Sequence, residues 1–169
     1  MTELRTSLIF IALLTACTNA TQAKADGEAW MPLSPRSLTS QQWRSASPTS
    51  FASLSLDING DGSPDHASLV VSSDLKWSGI RVCYENHQKA GKKGCSVIAV
   101  EENTAEVMGL EKKKPGCYAY IEDAYGTSSG GKKICSQNEV VEYFRFGSAG
   151  SFFIYDQSSN TFKRYWDSD

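Results

Sequence analysis

The stretch that most constrains this chain is residues 57–65, DINGDGSPD. Oxygen-bearing side chains at Asp57, Asn59, Asp61 and Asp65 fall at positions 1, 3, 5 and 9 of a tight loop, and Gly62 stands at position 6, where the backbone must turn sharply. Hard oxygen donors at alternating positions suit calcium, so the stretch predicts a calcium site. An EF-hand would close with a bidentate Glu at position 12, but Ser68 stands there, which leaves Asp65, a backbone carbonyl and water to complete the set. The flanks set the fold. Upstream, FASLSL places Ala52, Leu54 and Leu56 on one face and Ser53 and Ser55 on the other, and downstream HASLVVS is rich in strand formers. A strand-loop-strand unit follows. The plainer alternative is an acidic turn built from ordinary turn residues, but regular spacing of four oxygen donors around a glycine favours the metal.

The pattern Asp-x-[Asp/Asn]-x-Asp-Gly-x-x-Asp is met at every ligand position, and in this the loop resembles the calcium loop of FG-GAP and VCBS-type β-repeat proteins. The resemblance spans about residues 51–71 and implies a structural ion rather than a substrate. With three carboxylates and a loose closing ligand, the expected affinity is that of extracellular modules, Kd on the order of 10⁻⁴ to 10⁻³ M. At roughly 1 mM calcium, a Kd near 10⁻⁴ M stabilises the fold by about 1.4 kcal/mol.

Residues 1–16 read as a lipoprotein signal peptide: Arg5 supplies a positive start, and the apolar run from Leu8 to Leu14 is far shorter than a membrane span. Leu14-Thr15-Ala16-Cys17 looks like a bacterial lipobox, which makes Cys17 the lipidated first residue, and Thr18 after it points by the same resemblance to the outer membrane. Ordinary cleavage after Ala20, giving a soluble periplasmic protein, is the alternative. Residues 17–29 read as a flexible tether and 30–169 as a single domain, an ordinary size for one core. Three prolines, Pro32, Pro35 and Pro48, bracket a possible short helix at 39–45, and Trp30 and Trp43 are expected to pack on the domain.

Beyond the loop, runs rich in Val, Ile, Tyr and Phe at 79–84, 96–100, 117–121, 139–146, 151–155 and 161–166 alternate with turns. The expected fold is all-β, an antiparallel meander or partial propeller-like sheets with one calcium loop and two disulfides. The last two runs read as a closing hairpin. A complete propeller needs about four blades of four strands, more than this chain supplies.

Lipidation of Cys17 removes the odd member of five cysteines and leaves Cys83, Cys95, Cys117 and Cys135 for an oxidising compartment. Of the three possible connectivities, Cys83 with Cys95 and Cys117 with Cys135 is preferred, because each pair flanks one loop that a hairpin could close. Each bridge is worth roughly 3 kcal/mol. A zinc site competes poorly, since no Cys-x-x-Cys pair is present.

The net charge of −2, with Lys and Arg dispersed among acids, argues against nucleic acid as a partner. Neither His66 nor His87 belongs to a nucleophile or metal motif, so the chain is not expected to be an enzyme. The run 126–133, GTSSGGKK, nearly fits a phosphate loop with Lys132 in the lysine position, but Lys133 stands where the magnesium-binding Ser or Thr belongs. With Cys117 joined to Cys135 it becomes a polar, disulfide-anchored tip suited to a partner's cleft; a solvated linker is the alternative. Lys92-Lys93 and Lys112-Lys113-Lys114 read as solvated turns.

An exported, lipid-tethered, disulfide-stapled β domain looks like type VI secretion immunity proteins, which block cell-wall-degrading amidases or muramidases. That resemblance implies a non-catalytic periplasmic binding protein, and makes Ser128 or Ser129 the residue that would enter the effector's catalytic cleft. Two other readings stay open: a structural or adhesive envelope lipoprotein whose calcium loop holds the sheet together, and a periplasmic hydrolase. For the anchor, metabolic labelling with a fatty acid is expected to mark the wild-type protein and to be lost on Cys17→Ser; label retained by the variant would exclude lipidation at this cysteine.

Overall fold

A computed structural model describes residues 29–34, 42–45, 47, 49–85, 94–102, 104–121, 131–148 and 150–167. The signal peptide, Cys17, most of the tether, His87, Lys92-Lys93, Ser128 and Ser129 lie outside the described residues, as does the start of the expected 39–45 helix. What is described of that helix is one 3₁₀ turn, Gln42–Arg44.

The described chain is all-β, and every strand pair is antiparallel. The first sheet is a meander of β2 (Ser53–Leu56), β3 (Asp65–Ser72), β4 (Trp77–Cys83) and β5 (Cys95–Glu102), with β1 (Trp30–Pro32) beside β3 beyond the reach of β2. The second has the order β11-β10-β9-β6, from β6 (Met108–Lys113), β9 (Val140–Arg145), β10 (Gly150–Asp156) and β11 (Thr161–Trp166). Between β6 and β9 the chain leaves as a separate hairpin, β7 (Gly116–Tyr120) and β8 (Lys132–Ser136). Among the described residues no helix is long and apolar enough to cross a membrane.

Alternation explains the layers. Leu56, Ala67, Leu69, Ile80, Val82 and Ala99 from the first sheet meet Met108, Leu110, Val141, Tyr143 and Phe153 from the second in one apolar cluster. Phe152, one residue before Phe153, points the opposite way and is fully buried as well. Its cover is the β7–β8 hairpin, whose Tyr118 ring lies 5.3 Å from Phe152 and whose Tyr120 ring lies 4.9 Å from Tyr165. The hairpin thus lays its inner residues on the second sheet and turns Cys117 and Cys135 outward to solvent.

Both expected disulfides are present, Cys83–Cys95 and Cys117–Cys135, which disposes of a zinc site at these residues. Each joins residues directly opposite one another in an antiparallel ladder, Cys83–Cys95 where β4 and β5 meet their connecting loop and Cys117–Cys135 near the base of the β7–β8 hairpin. A bulge leaves Ile98 without a partner, since Ile80 faces Ala99 while Arg81 faces Val97. On the edge strand β5 such a bulge works against pairing with another chain.

Three strands escaped the sequence reading: β1, β6 and β8. Lys112 and Lys113 are strand residues rather than a solvated turn, and Lys113 reaches Glu142 at 2.9 Å and Asp167 at 3.0 Å. Its ammonium also sits 5.7 Å from the Phe152 ring centre, so its stem covers apolar surface while its charge is paired. Gly109 is required on β6, because an added Cβ would stand 2.5 Å from the Phe144 ring across the ladder. Trp43 is only half covered, at 47% exposure, with its indole stacked 5.5 Å from Phe146. Its neighbour Arg44 is the buried anchor instead: at 1% exposure it donates to the carbonyls of Ser50 (2.9 Å), Glu106 (2.7 Å) and Met108. Arginine suits that role because its planar fork satisfies several carbonyls at once.

Phe153 stands at the centre of the shared core. Replacing it with Ala is expected to lower unfolding free energy by about 3–5 kcal/mol, read from urea denaturation with both disulfides intact; a loss under about 1 kcal/mol would contradict the described packing.

Candidate functional site

The best-built polar site is the 57–65 loop itself, which joins β2 to β3. Leu56 and Ile58 are buried to 1% and 0% exposure, so the loop enters the site anchored in the core. Gly60 and Gly62 carry positive φ, 74° and 83°, which lets the backbone curl and direct successive N–H groups inward. Asp57 Oδ1 accepts from the N–H groups of Gly60 (2.8 Å) and Asp61 (3.1 Å), and Oδ2 from that of Gly62 (3.0 Å). Asn59 Oδ1 accepts from Asp61 N–H at 2.9 Å, and Asp61 Oδ1 from Ser63 N–H at 2.8 Å. Asp57, Asn59 and Asp61 therefore lie on one small loop with their side-chain oxygens tied to its backbone.

Asp65 differs from the others. It opens β3, is 1% exposed, and among the described residues accepts two long bonds, from the N–H groups of Ile58 and Glu85, each 3.3 Å. Burial pushes its carboxyl up to about 6, and the nearby Asp61 and Asp57 carboxylates push the same way. The Tyr84 hydroxyl, raised by burial first and then by Tyr155 and Asp65, is itself buried with no hydrogen-bond partner among the described residues. Buried oxygen, weakly satisfied, beside two further carboxylates is an environment lacking positive charge.

The donor set fits a hard cation. Each carboxylate oxygen that accepts one N–H retains a further lone pair, and oxygen-only donors with a buried carboxylate suit calcium. Asp57, Asn59, Asp61 and Asp65 would hold it, and the ion would supply the missing positive charge. Among the described residues no three His, Cys, Asp or Glu side chains stand already gathered as a metal cluster. The loop carboxylates are instead turned onto its N–H groups.

The second sheet contributes contacts that no sequence pattern announced. Glu139 Oε2 accepts from Asp57 N–H at 2.8 Å, and its Oε1 pairs with Lys112 at 3.0 Å. Burial alone would raise the Glu139 carboxyl, but Lys112 and the Asp57 N–H hold it below the usual range. Gln157 Nε2 donates to Asn59 O at 2.9 Å, and Gly60 packs so closely on Asn138 that a Cβ there would meet Oδ1 at 2.4 Å. His66 is exposed on β3. Lys132 and Lys133 begin strand β8, so the phosphate-loop likeness lacks the helix N-terminus that phosphate binding needs.

Asp65 gives a signed pH dependence. Its folded value of about 6 lies above the ordinary 3.8, so between these values the folded state holds more protons than the unfolded, and stability falls as pH rises through the window. In chelator, the melting temperature of wild type relative to Asp65→Asn is expected to drop from about pH 4 to about pH 7. A difference independent of pH would remove the assigned environment.

No family model, curated protein or solved structure matches this chain, so its own residues and geometry alone bear on function.

Proposed function

We propose that this chain is a non-catalytic periplasmic binding protein, an immunity protein that inhibits a peptidoglycan-degrading amidase or muramidase effector of type VI secretion by occluding its active site. The observation that carries the reading is the β7–β8 hairpin. Its inner side rests on Phe152 and Tyr165 through Tyr118 and Tyr120, and its base is clamped by Cys117–Cys135. A rigid root bearing a polar connection rich in Gly, Ser and Thr suits insertion into a cleft, because little order need be gained at the root on binding. That connection, 122–130, holds Ser128 and Ser129, the residues assigned to the effector's cleft.

Two disulfides fit an oxidising compartment, and together with Cys17 they support an outer-membrane lipoprotein facing the periplasm. Calcium at Asp57, Asn59, Asp61 and Asp65 belongs to the proposal as a stabiliser of the scaffold, not as a reactant. A second reading, a calcium-stabilised structural or adhesive envelope lipoprotein, draws support from the contacts of Glu139, Asn138 and Gln157, which join the loop to the second sheet.

The test is to mix the mature protein with a peptidoglycan amidase or muramidase effector of type VI secretion, taking one encoded beside this chain where such a gene stands there. A tight one-to-one complex and abolished hydrolysis are expected, with binding weakened by Ser128→Trp or Ser129→Trp. Undiminished hydrolysis under excess protein would refute the immunity role.

A further inference from the structure

We infer that cation occupancy of the 57–65 loop is transmitted to the second sheet through Glu139, so that the ion stiffens the root of the β7–β8 hairpin as well as the loop. The inference rests on the calcium reading and adds to it a coupling between the ion and the surface proposed to meet a partner.

Asp57 is the first ligand position, and it is gripped from two directions. Its carboxylate is held by the N–H groups of Gly60, Asp61 and Gly62, while its own N–H is held by Glu139. Glu139 is in turn fixed by Lys112 of β6, so one carboxylate ties a strand of the second sheet to the first ligand residue. Two further contacts reach the same few loop residues from the second sheet, Gln157 to the Asn59 carbonyl and Asn138 against Gly60. Asn138 and Glu139 belong to the turn that leaves β8. Within it Ser136 Oγ donates to Asn138 O at 2.8 Å and accepts from Asn138 N–H at 3.2 Å, directly after Cys135.

Ordering the loop around an ion therefore orders the groups that touch Glu139 and Asn138, and by linkage those groups help to set the ion's affinity. The contact is directional. Glu139 accepts from the backbone of a ligand residue and is not itself asked to bind the ion, so it is a positioning residue. An amide at 139 keeps an acceptor for the Asp57 N–H, whereas a methyl removes it.

The experiment uses the full mature chain titrated with calcium chloride, with hydrogen exchange followed in calcium and in chelator. Calcium is expected to slow exchange in 57–65 and also in 136–139 and 157–160. Glu139→Ala is expected to bind calcium roughly three- to tenfold more weakly and to lose the protection at 136–139, while Glu139→Gln stays within about twofold of wild type. Calcium binding with protection confined to 57–65, or with unchanged affinity in Glu139→Ala, would overturn the coupling and leave the calcium site standing. No binding and no change in exchange in the wild type would overturn both. The wild-type exchange pattern decides the matter even if Glu139→Ala folds poorly.

Discussion

A carboxylate almost without exposure, Asp65, sits where the first sheet begins its central strand, and much of the molecule answers to it. β3 pairs with β1 and β2 on one side and β4 on the other, and Asp65 opens it directly opposite the buried Leu56 of β2. Two distant N–H groups hold Asp65, one from the loop and one from Glu85 just past the Cys83–Cys95 bridge. A buried carboxylate with so little compensation is costly in an apolar setting. The proposed cation would relieve the same deficit.

Stability in this molecule comes from several sources of similar size. The core between the sheets and the covered face beneath the hairpin bury Phe153 and Phe152 respectively, each a side chain worth about 1.5–3 kcal/mol of transfer free energy. Each disulfide contributes roughly 3 kcal/mol by restricting the unfolded chain, and the two are placed where hairpins would otherwise fray. The expected contribution of calcium, about 1.4 kcal/mol, is smaller. Any influence of the proposed ion would come from position, since the loop touches Glu139 and Gln157 at the edge of the second sheet.

That contact joins the functional readings. The hairpin proposed to face a partner is rooted in the turn that touches the loop, and the loop is rooted in the core through Ile58. Hairpin, disulfide and polar loop therefore share a short mechanical connection. Arg44 performs a comparable service on the opposite side, drawing the 3₁₀ turn onto carbonyls at the start of β6 with a cation that has carbonyl partners rather than a carboxylate.

The local rules of the chain were enough to specify the all-β class, the loop of Asp57, Asn59, Asp61 and Asp65 as one unit, the closing hairpin and the disulfide partners. Those features depend on alternation, turn chemistry and short spacing, which neighbours in sequence express directly. MGLEKK and KKICS gave no such signal, because Lys113 and Lys132 lie in strands for reasons of pairing rather than intrinsic preference. Lys113 is stable there only because Glu142, Asp167 and the ring of Phe152 surround it. No pattern marked Arg44 for burial either, and its place is set by the distant carbonyls that its guanidinium satisfies, while Trp43 packs on Phe146 with half its surface exposed. Tertiary structure alone decided that Glu139, Asn138 and Gln157 meet a loop some 80 to 100 positions earlier. A single acceptor or amide carries no periodicity by which its distant partner could be read, and only packing of the two sheets brings them within hydrogen-bond reach.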